Sequence, residues 1–192
     1  ARFFLFGSRD VWFVVGLPVF LASVTGWNNL EVSSFLAAWV VAYGVVQAFA
    51  PMVLQRGHSG RGPTGNTARN WAVLLAALPA GIATVLLWGG DPALTLIVGL
   101  FVFGAVFAIN SAVHSYLILA YSDHEQVAMN VGFYYMANAA GRLAGTVLSG
   151  WAFQTHGMVG CLWWSTGFLV AAAAVSSRLP RSVVGAAEVS ET

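Results

Sequence analysis

The sequence contains no lysine and few charged residues of any kind. Its eight basic residues are all arginines, and charged residues make up 8% of 192 positions, whereas an ordinary soluble domain has about 25%. Hydrophobic residues reach 58% and the mean hydropathy is +0.76. This is more apolar surface than a soluble core can bury, so the composition excludes a soluble domain and predicts an all-α integral membrane protein.

Several catalytic and metal-binding patterns are also missing. There is no glycine-lysine phosphate loop, so nothing supports ATP-driven transport within this chain. No G-x-S-x-G pattern occurs, and no pair among the four histidines has the spacing of metal ligands. The single cysteine, Cys161, cannot form an internal disulfide. We therefore expect no enzyme activity, no cofactor, no metal and no nucleic-acid partner, and a lipid bilayer as the surroundings.

Apolar runs between helix breakers predict six membrane spans, at about 20 residues per span. The predicted spans cover residues 3–24, 31–54, 71–89, 93–121, 126–153 and 157–177. The connection 55–70 is long, basic and rich in glycine, and residues 178–192 form a polar tail. Because arginine is enriched in cytoplasmic loops, we expect this loop, the tail and both termini on the cytoplasmic side. The first residue is not methionine, so we expect a fragment of a longer protein.

Polar residues concentrate in four of the six predicted spans. The first span carries Arg9 and Asp10, the second Tyr43 and Gln47, the fourth Asn110 and His114, and the fifth Asn138, Arg142 and Thr146. In the third and sixth spans the polar side chains are mainly hydroxyls, which can bond back to their own helix. We predict that the first, second, fourth and fifth spans line a cavity. Two three-helix groups with matching roles are expected for an inverted repeat, as in one half of a major facilitator transporter.

Arg142 is the arginine that membrane topology does not explain, because it falls in the middle of a predicted span. An arginine at that depth costs at least about 2.5 kcal/mol, so its charge needs a partner. Asn138 and Thr146 share its helix face, with Tyr134 nearer the cytoplasmic end. A neighbouring stripe of small residues suits close helix packing; it comprises Ala137, Gly141, Gly145 and Ser149. Two interpretations stay open, namely that Arg142 binds an anionic substrate or that it locks the bundle through a buried carboxylate.

Four further side chains are candidates for binding or proton coupling. Arg9 and Asp10 point about 100° apart on a helix, so they do not make an ideal mutual pair. Arg9 either reaches the interface or faces the cavity, and Asp10 either caps a helix or pairs with Arg142 or another cation. A buried carboxylate can also carry a transported proton, so Asp10 is a coupling candidate. Asn110 and His114 share a face, and His114 serves either as an interhelical contact or as a titrating relay.

Two stretches resemble the organoarsenical efflux permeases, the ArsJ family of the major facilitator superfamily. They are FLFGSRDVWFVVGLPVFL, from Phe4 to Leu21, and FYYMANAAGRLAGTVLSG, from Phe133 to Gly150. The segment NSAVHSYLILAYS, from Asn110 to Ser122, is similar too. The resemblance covers the whole chain as the second six-helix half of a twelve-helix transporter. It departs from the superfamily's Gly-x-x-x-Asp-Arg loop, because Arg56 is present without the acid before it.

The resemblance implies a secondary active transporter of the bacterial inner membrane that confers arsenate resistance. Its cargo would be 1-arseno-3-phosphoglycerate, exported by alternating access in exchange for protons. This compound forms when glyceraldehyde-3-phosphate dehydrogenase uses arsenate in place of phosphate, so a functional link to that enzyme is expected. The other wall of the cavity would come from the N-terminal six-helix half of the same transporter.

Arginine suits such a cargo because its fork of donors matches phosphate-like anions. We predict Arg142 and Arg9 as substrate-binding residues, with Asn138, Tyr134 and Asn110 as neutral hydrogen-bonding groups. Two other functions remain open. One is a major facilitator exporter of another cargo, such as a drug or a sugar phosphate, and the other is a non-transporting structural or assembly protein.

Overall fold

A computed structural model describes residues 1–57, 63–121 and 127–179, and in this part the chain is helical with no β-strand. The helices are α1 (Arg2–Phe13), α2 (Gly16–Val24), α3 (Asn29–Gly57), α4 (Gly65–Leu87), α5 (Pro92–Ala120) and α6 (Val127–Ser176). Taking α1 and α2 together, five helical stretches are long and apolar enough to cross a membrane. The prediction of an all-α, membrane-compatible protein is thereby confirmed. The end of the predicted tail, 180–192, and the loop residues 58–62 lie outside the described residues.

The first predicted span, 3–24, is broken between helices α1 and α2 at Val14 and Val15. Pro18 explains the position of the break, because a proline ring clashes with the carbonyl four residues earlier, here that of Val14. The backbone N–H of Gly16, just after the break, donates instead to Ser149 Oγ on α6 at 3.1 Å. A side chain thus satisfies a backbone group that the interrupted helix leaves unpaired.

Helix α6 reverses direction at Gly157, where φ is 64° and ψ is −161°. Phe3 of α1 packs edge-to-face on Phe168 with 6.5 Å between ring centroids, and a Cβ at Gly141 would overlap the Phe3 carbonyl. In a straight helix Gly141 and Phe168 would be roughly 40 Å apart. We therefore divide α6 into a first arm, 127–156, and an antiparallel second arm, 158–176. The glycine is needed because L side chains rarely adopt such a φ.

Helix α4 begins at Gly65, so residues 65–70, which composition assigns to the basic loop, are helical. Thr64 and Thr67 explain this start. They form a reciprocal capping box, in which the Thr64 N–H donates to Thr67 Oγ1 at 3.2 Å. The predicted loop 55–70 is consequently shortened at both ends, since α3 runs to Gly57.

Helix α1 and the first arm of α6 approach each other through glycines. A Cβ at Gly145 would lie 2.6 Å from the carbonyl oxygen of Gly7 and 3.1 Å from Asp10 Cβ. The backbones can touch only because these positions have no side chain. The small-residue stripe seen in the sequence is this packing face, and the contact brings Asp10 beside Arg142.

Aromatic rings fix helix α5 against α1. Trp12 packs on Phe103 and Phe6 on Phe107, with ring centroids 5.3 and 5.2 Å apart. As the residue numbers rise on α5 they fall on α1, so the two helices are antiparallel. The next turns of α5, which carry Ser111 and further polar residues, therefore lie beside the first turn of α1.

Candidate anion-binding site

Asp10 lies between two arginines that come from different helices. Its side chain is 1% exposed, its Oδ1 accepts from Arg9 Nε at 2.6 Å, and its Oδ2 accepts from Arg142 Nε at 3.1 Å. We call these three residues the Asp10 centre. Arg9 and Asp10 do pair although helix geometry does not favour it, because the long arginine side chain bridges the angle between adjacent positions. Asp10 is inside α1 and does not cap a helix start.

Both arginines of the Asp10 centre use only Nε in these ion pairs. Within the described residues, the terminal Nη groups of Arg9 and Arg142 make no hydrogen bond. The side chains are 13% and 56% exposed, respectively, so Arg142 is more open than a residue buried in the bundle would be. Because two guanidiniums share one carboxylate, one positive charge is not neutralised, and the Nη donors of both arginines are available to a ligand. This arrangement can bind a phosphate-like or carboxylate anion.

Arg2 forms a second positive group at the start of α1. Its Nη1 donates to the carbonyl oxygen of Ser111 at 3.2 Å and to Ser111 Oγ at 3.1 Å. Its guanidinium carbon lies 4.2 Å from the ring centroid of Phe6 and 4.3 Å from that of Tyr134. We call Arg2, Phe6, Ser111 and Tyr134 the Arg2 centre. In the part of the chain that is described, no carboxylate pairs with this arginine.

Arg2 is a site residue that the sequence pattern did not single out. From the sequence alone it is one of the arginines that flank an apolar segment. The available signal was its spacing from Arg9, because seven residues are close to two helical turns and place both side chains on one face. Phe6 lies between them, 5.3 Å from the Arg9 guanidinium carbon, so one ring contacts both centres.

Tyr134 belongs to the Arg2 centre. Its hydroxyl lies 2.8 Å from Ser115 Oγ, and Ser115 Oγ in turn donates to the carbonyl oxygen of Ser111 at 3.0 Å. That carbonyl also accepts from Arg2. Tyr134, which the sequence predicts as a neutral hydrogen-bonding group for the substrate, thus lies beside Arg2, between α5 and the first arm of α6.

The remaining candidates carry buried polar atoms. Asn110 is 0% and His114 6% exposed, and Asn138 is half-buried. Among the residues that the structure describes, neither amide atom of Asn110 has a hydrogen-bond partner, nor has His114 Nε2 or Asn138 Oδ1. Leaving such an atom unpaired costs about 1–3 kcal/mol, and an exception of this kind needs an explanation such as a functional role. Within the described chain, none of the three forms a hydrogen bond with the Asp10 centre.

The chain matches no protein-family model, no curated protein and no solved structure. Its function is therefore inferred from the helical fold, the burial of the charged groups and their hydrogen bonds. These define an apolar helical bundle that holds an excess of positive charge on a face shared by α1, α5 and the first arm of α6.

Proposed function

We propose that the chain is part of a secondary active transporter whose cargo is a small anion. Counting α1 with α2 as one crossing and the two arms of α6 as two, the bundle has six crossings. An even number puts both ends of the bundle on one side of the membrane. The arginines near those ends favour the cytoplasmic side, and we propose the bacterial inner membrane as the location.

The Asp10 centre carries this proposal. Arg9 and Arg142 are oriented by one carboxylate through Nε, which leaves their terminal donors for a ligand. A pair whose only role was to close the bundle would be more effective with bidentate contacts through those terminal groups. Because the two arginines come from different helices, an anion bound by both would also respond to a relative movement of those helices. Alternating access needs this property.

Asp10 remains the candidate for proton coupling. Its carboxylate holds the same two guanidiniums that we assign to the anion, so the two groups would compete for the same donors. A pH series of anion binding tests whether protons and the anion are coupled at this centre.

For the cargo we propose 1-arseno-3-phosphoglycerate. Its two acidic groups suit a site with surplus arginine, and the support for arsenic comes from the resemblance of Phe4 to Leu21 and Phe133 to Gly150 to the organoarsenical permeases. A sugar phosphate would satisfy the same arginines. A cationic drug would not, because the centre already has an excess of positive charge.

A structural role for Arg142 is the competing interpretation, and one observation favours it. Asp10 is fully buried beside the glycine contact with Gly145, where an ion pair would fasten α1 to α6. This interpretation predicts that loss of Arg142 destabilises the protein. The binding interpretation predicts loss of transport with the protein intact.

Arsenate resistance tests both the cargo and the residue. We expect the complete gene to protect cells that lack arsenate efflux only when glyceraldehyde-3-phosphate dehydrogenase is also present. Arg142→Ala should abolish protection at an unchanged protein level in the membrane, whereas Arg178→Ala, at an exposed arginine, should protect normally. Protection without the dehydrogenase would refute the organoarsenical cargo. Full protection by Arg142→Ala would refute its substrate role.

A further inference from the structure

The charge on Arg2 is offset differently from the charges on Arg9 and Arg142. The latter two share Asp10, whereas within the described residues Arg2 contacts only neutral groups, namely the serine oxygens and two aromatic rings. Its Nε is buried and has no hydrogen-bond partner in the part of the chain that the structure describes. A part-buried guanidinium without a carboxylate is costly in apolar surroundings, so an additional anionic ligand would stabilise it.

Unpaired polar atoms lie on the part of α5 that binds Arg2. Eight buried side-chain nitrogen and oxygen atoms of the described residues lack a partner, and four of them belong to Arg2, Asn110 and His114. Arg2 donates to Ser111, which adjoins Asn110 and lies less than one helical turn before His114. Asn110 and His114 are more than nine-tenths buried, and their unpaired atoms include both donors and acceptors.

We infer that Arg2, with Asn110 and His114, forms a second anion anchor, so that the site selects small molecules with an acidic group at each end. This inference rests on the proposed function, because the first acidic group is assigned to Arg9 and Arg142. Arg2 and Arg9 are seven positions apart, which corresponds to about 10 Å along the helix axis. The Phe6 ring lies between the two arginines and contacts both guanidiniums, so it keeps the two positive groups apart. The matching ligand class is a phosphorylated carboxylic acid or a similar bis-anion.

Two simple probes differ in the feature that the second anchor would recognise. 3-Phosphoglycerate carries a phosphate and a carboxylate, whereas glycerol 3-phosphate carries the phosphate alone. Calorimetry on the purified complete protein in nanodiscs should show that the wild type prefers 3-phosphoglycerate by about tenfold or more, the value of one charge-assisted hydrogen bond. Arg2→Gln should bring the ratio close to one and weaken glycerol 3-phosphate much less. Arg178→Gln, the matched control, should keep the wild-type ratio.

The outcomes separate this inference from the proposed function. If Arg2→Gln weakens both probes equally, or leaves the ratio unchanged, the second anchor is refuted while anion binding at the Asp10 centre stands. If the wild type binds neither probe, both are refuted. Should Arg2→Gln lower the amount of folded protein, Arg2→Lys keeps the charge but loses the fork, and we expect it to reduce the preference by about threefold. An undiminished preference in folded Arg2→Lys would contradict the inference.

Discussion

The two arginine centres on helix α1 offset their positive charge in different ways. At the Asp10 centre, a buried carboxylate joins Arg9 to Arg142 and so connects α1 with the first arm of α6. At the Arg2 centre, the described partners are serine oxygens and aromatic faces, which carry no full negative charge. From this difference we propose that the Asp10 centre contributes to both folding and anion binding, and that the Arg2 centre contributes mainly to binding.

Loss of the Asp10 carboxylate should have the largest effect. In Asp10→Asn two guanidiniums lose their shared counter-charge, and removing one partner of a buried ion pair typically costs about 3–5 kcal/mol. We expect a strongly reduced unfolding temperature and a low protein level. Arg2→Gln, which removes a charge from the centre without a carboxylate, should be measured in parallel. Equal destabilisation by the two variants would remove the distinction between the centres.

A larger side chain at the helix contact should separate α1 from α6 at the Asp10 centre. The Cβ of Gly145→Ala would meet backbone atoms of Gly7, and overpacking of this kind costs about 1–3 kcal/mol. Gly150→Ala is the matched control, because a Cβ at this position would meet no packing neighbour within 4 Å. Thermal unfolding should show a loss for Gly145→Ala and none for Gly150→Ala. A normal stability for Gly145→Ala would contradict the close contact that places Asp10 beside Arg142.

The variant Asn110→Leu tests whether the unpaired polar atoms of α5 near Arg2 serve anion binding and not stability. Replacing this fully buried, unpaired amide by leucine in Asn110→Leu removes a penalty of about 1–3 kcal/mol, so stability should rise or stay equal. Affinity for 3-phosphoglycerate should fall at the same time. A variant that is less stable and binds normally would show that Asn110 serves the fold.

Tyr134→Phe should have the smallest effect. The variant keeps the ring beside the Arg2 guanidinium and loses only the hydroxyl contact with Ser115, for about 0.5–1.5 kcal/mol. Tyr134→Leu removes the ring as well and should lower 3-phosphoglycerate affinity further. If both variants bind this probe equally well, the aromatic face contributes nothing to the Arg2 centre.

The helical, membrane-compatible fold was predictable because composition and apolar run length determine it. The break before Pro18 was also visible in principle, since the effect of proline on the preceding turn is local. Pairing of Asp10 with Arg142 was one of two alternatives for Asp10, and only the close approach at Gly145 decides between them. Periodicity shows which residues share a helix face but does not show which faces meet.

For the same reason, the contact between Arg2 and Ser111, 109 residues apart, could not be predicted. An arginine near the end of an apolar segment is ordinarily a marker of membrane topology. Arg2 contacts polar groups of α5 only because α5 packs against α1. The pairing of Arg9 with Asp10 was judged unfavourable for a different reason, because helix geometry describes Cβ directions and takes no account of the reach of a long side chain.

The double variant Asp10→Asn with Arg142→Gln separates the binding role of Arg142 from its role in the ion pair. It removes one positive and one negative charge but leaves Arg9 without its carboxylate, so part of the stability lost in Asp10→Asn should return. We predict that the double variant is more stable than Asp10→Asn and still fails to bind 3-phosphoglycerate in nanodiscs. Recovery of both stability and wild-type affinity would contradict anion binding by Arg142, because this arginine would then serve only to neutralise Asp10.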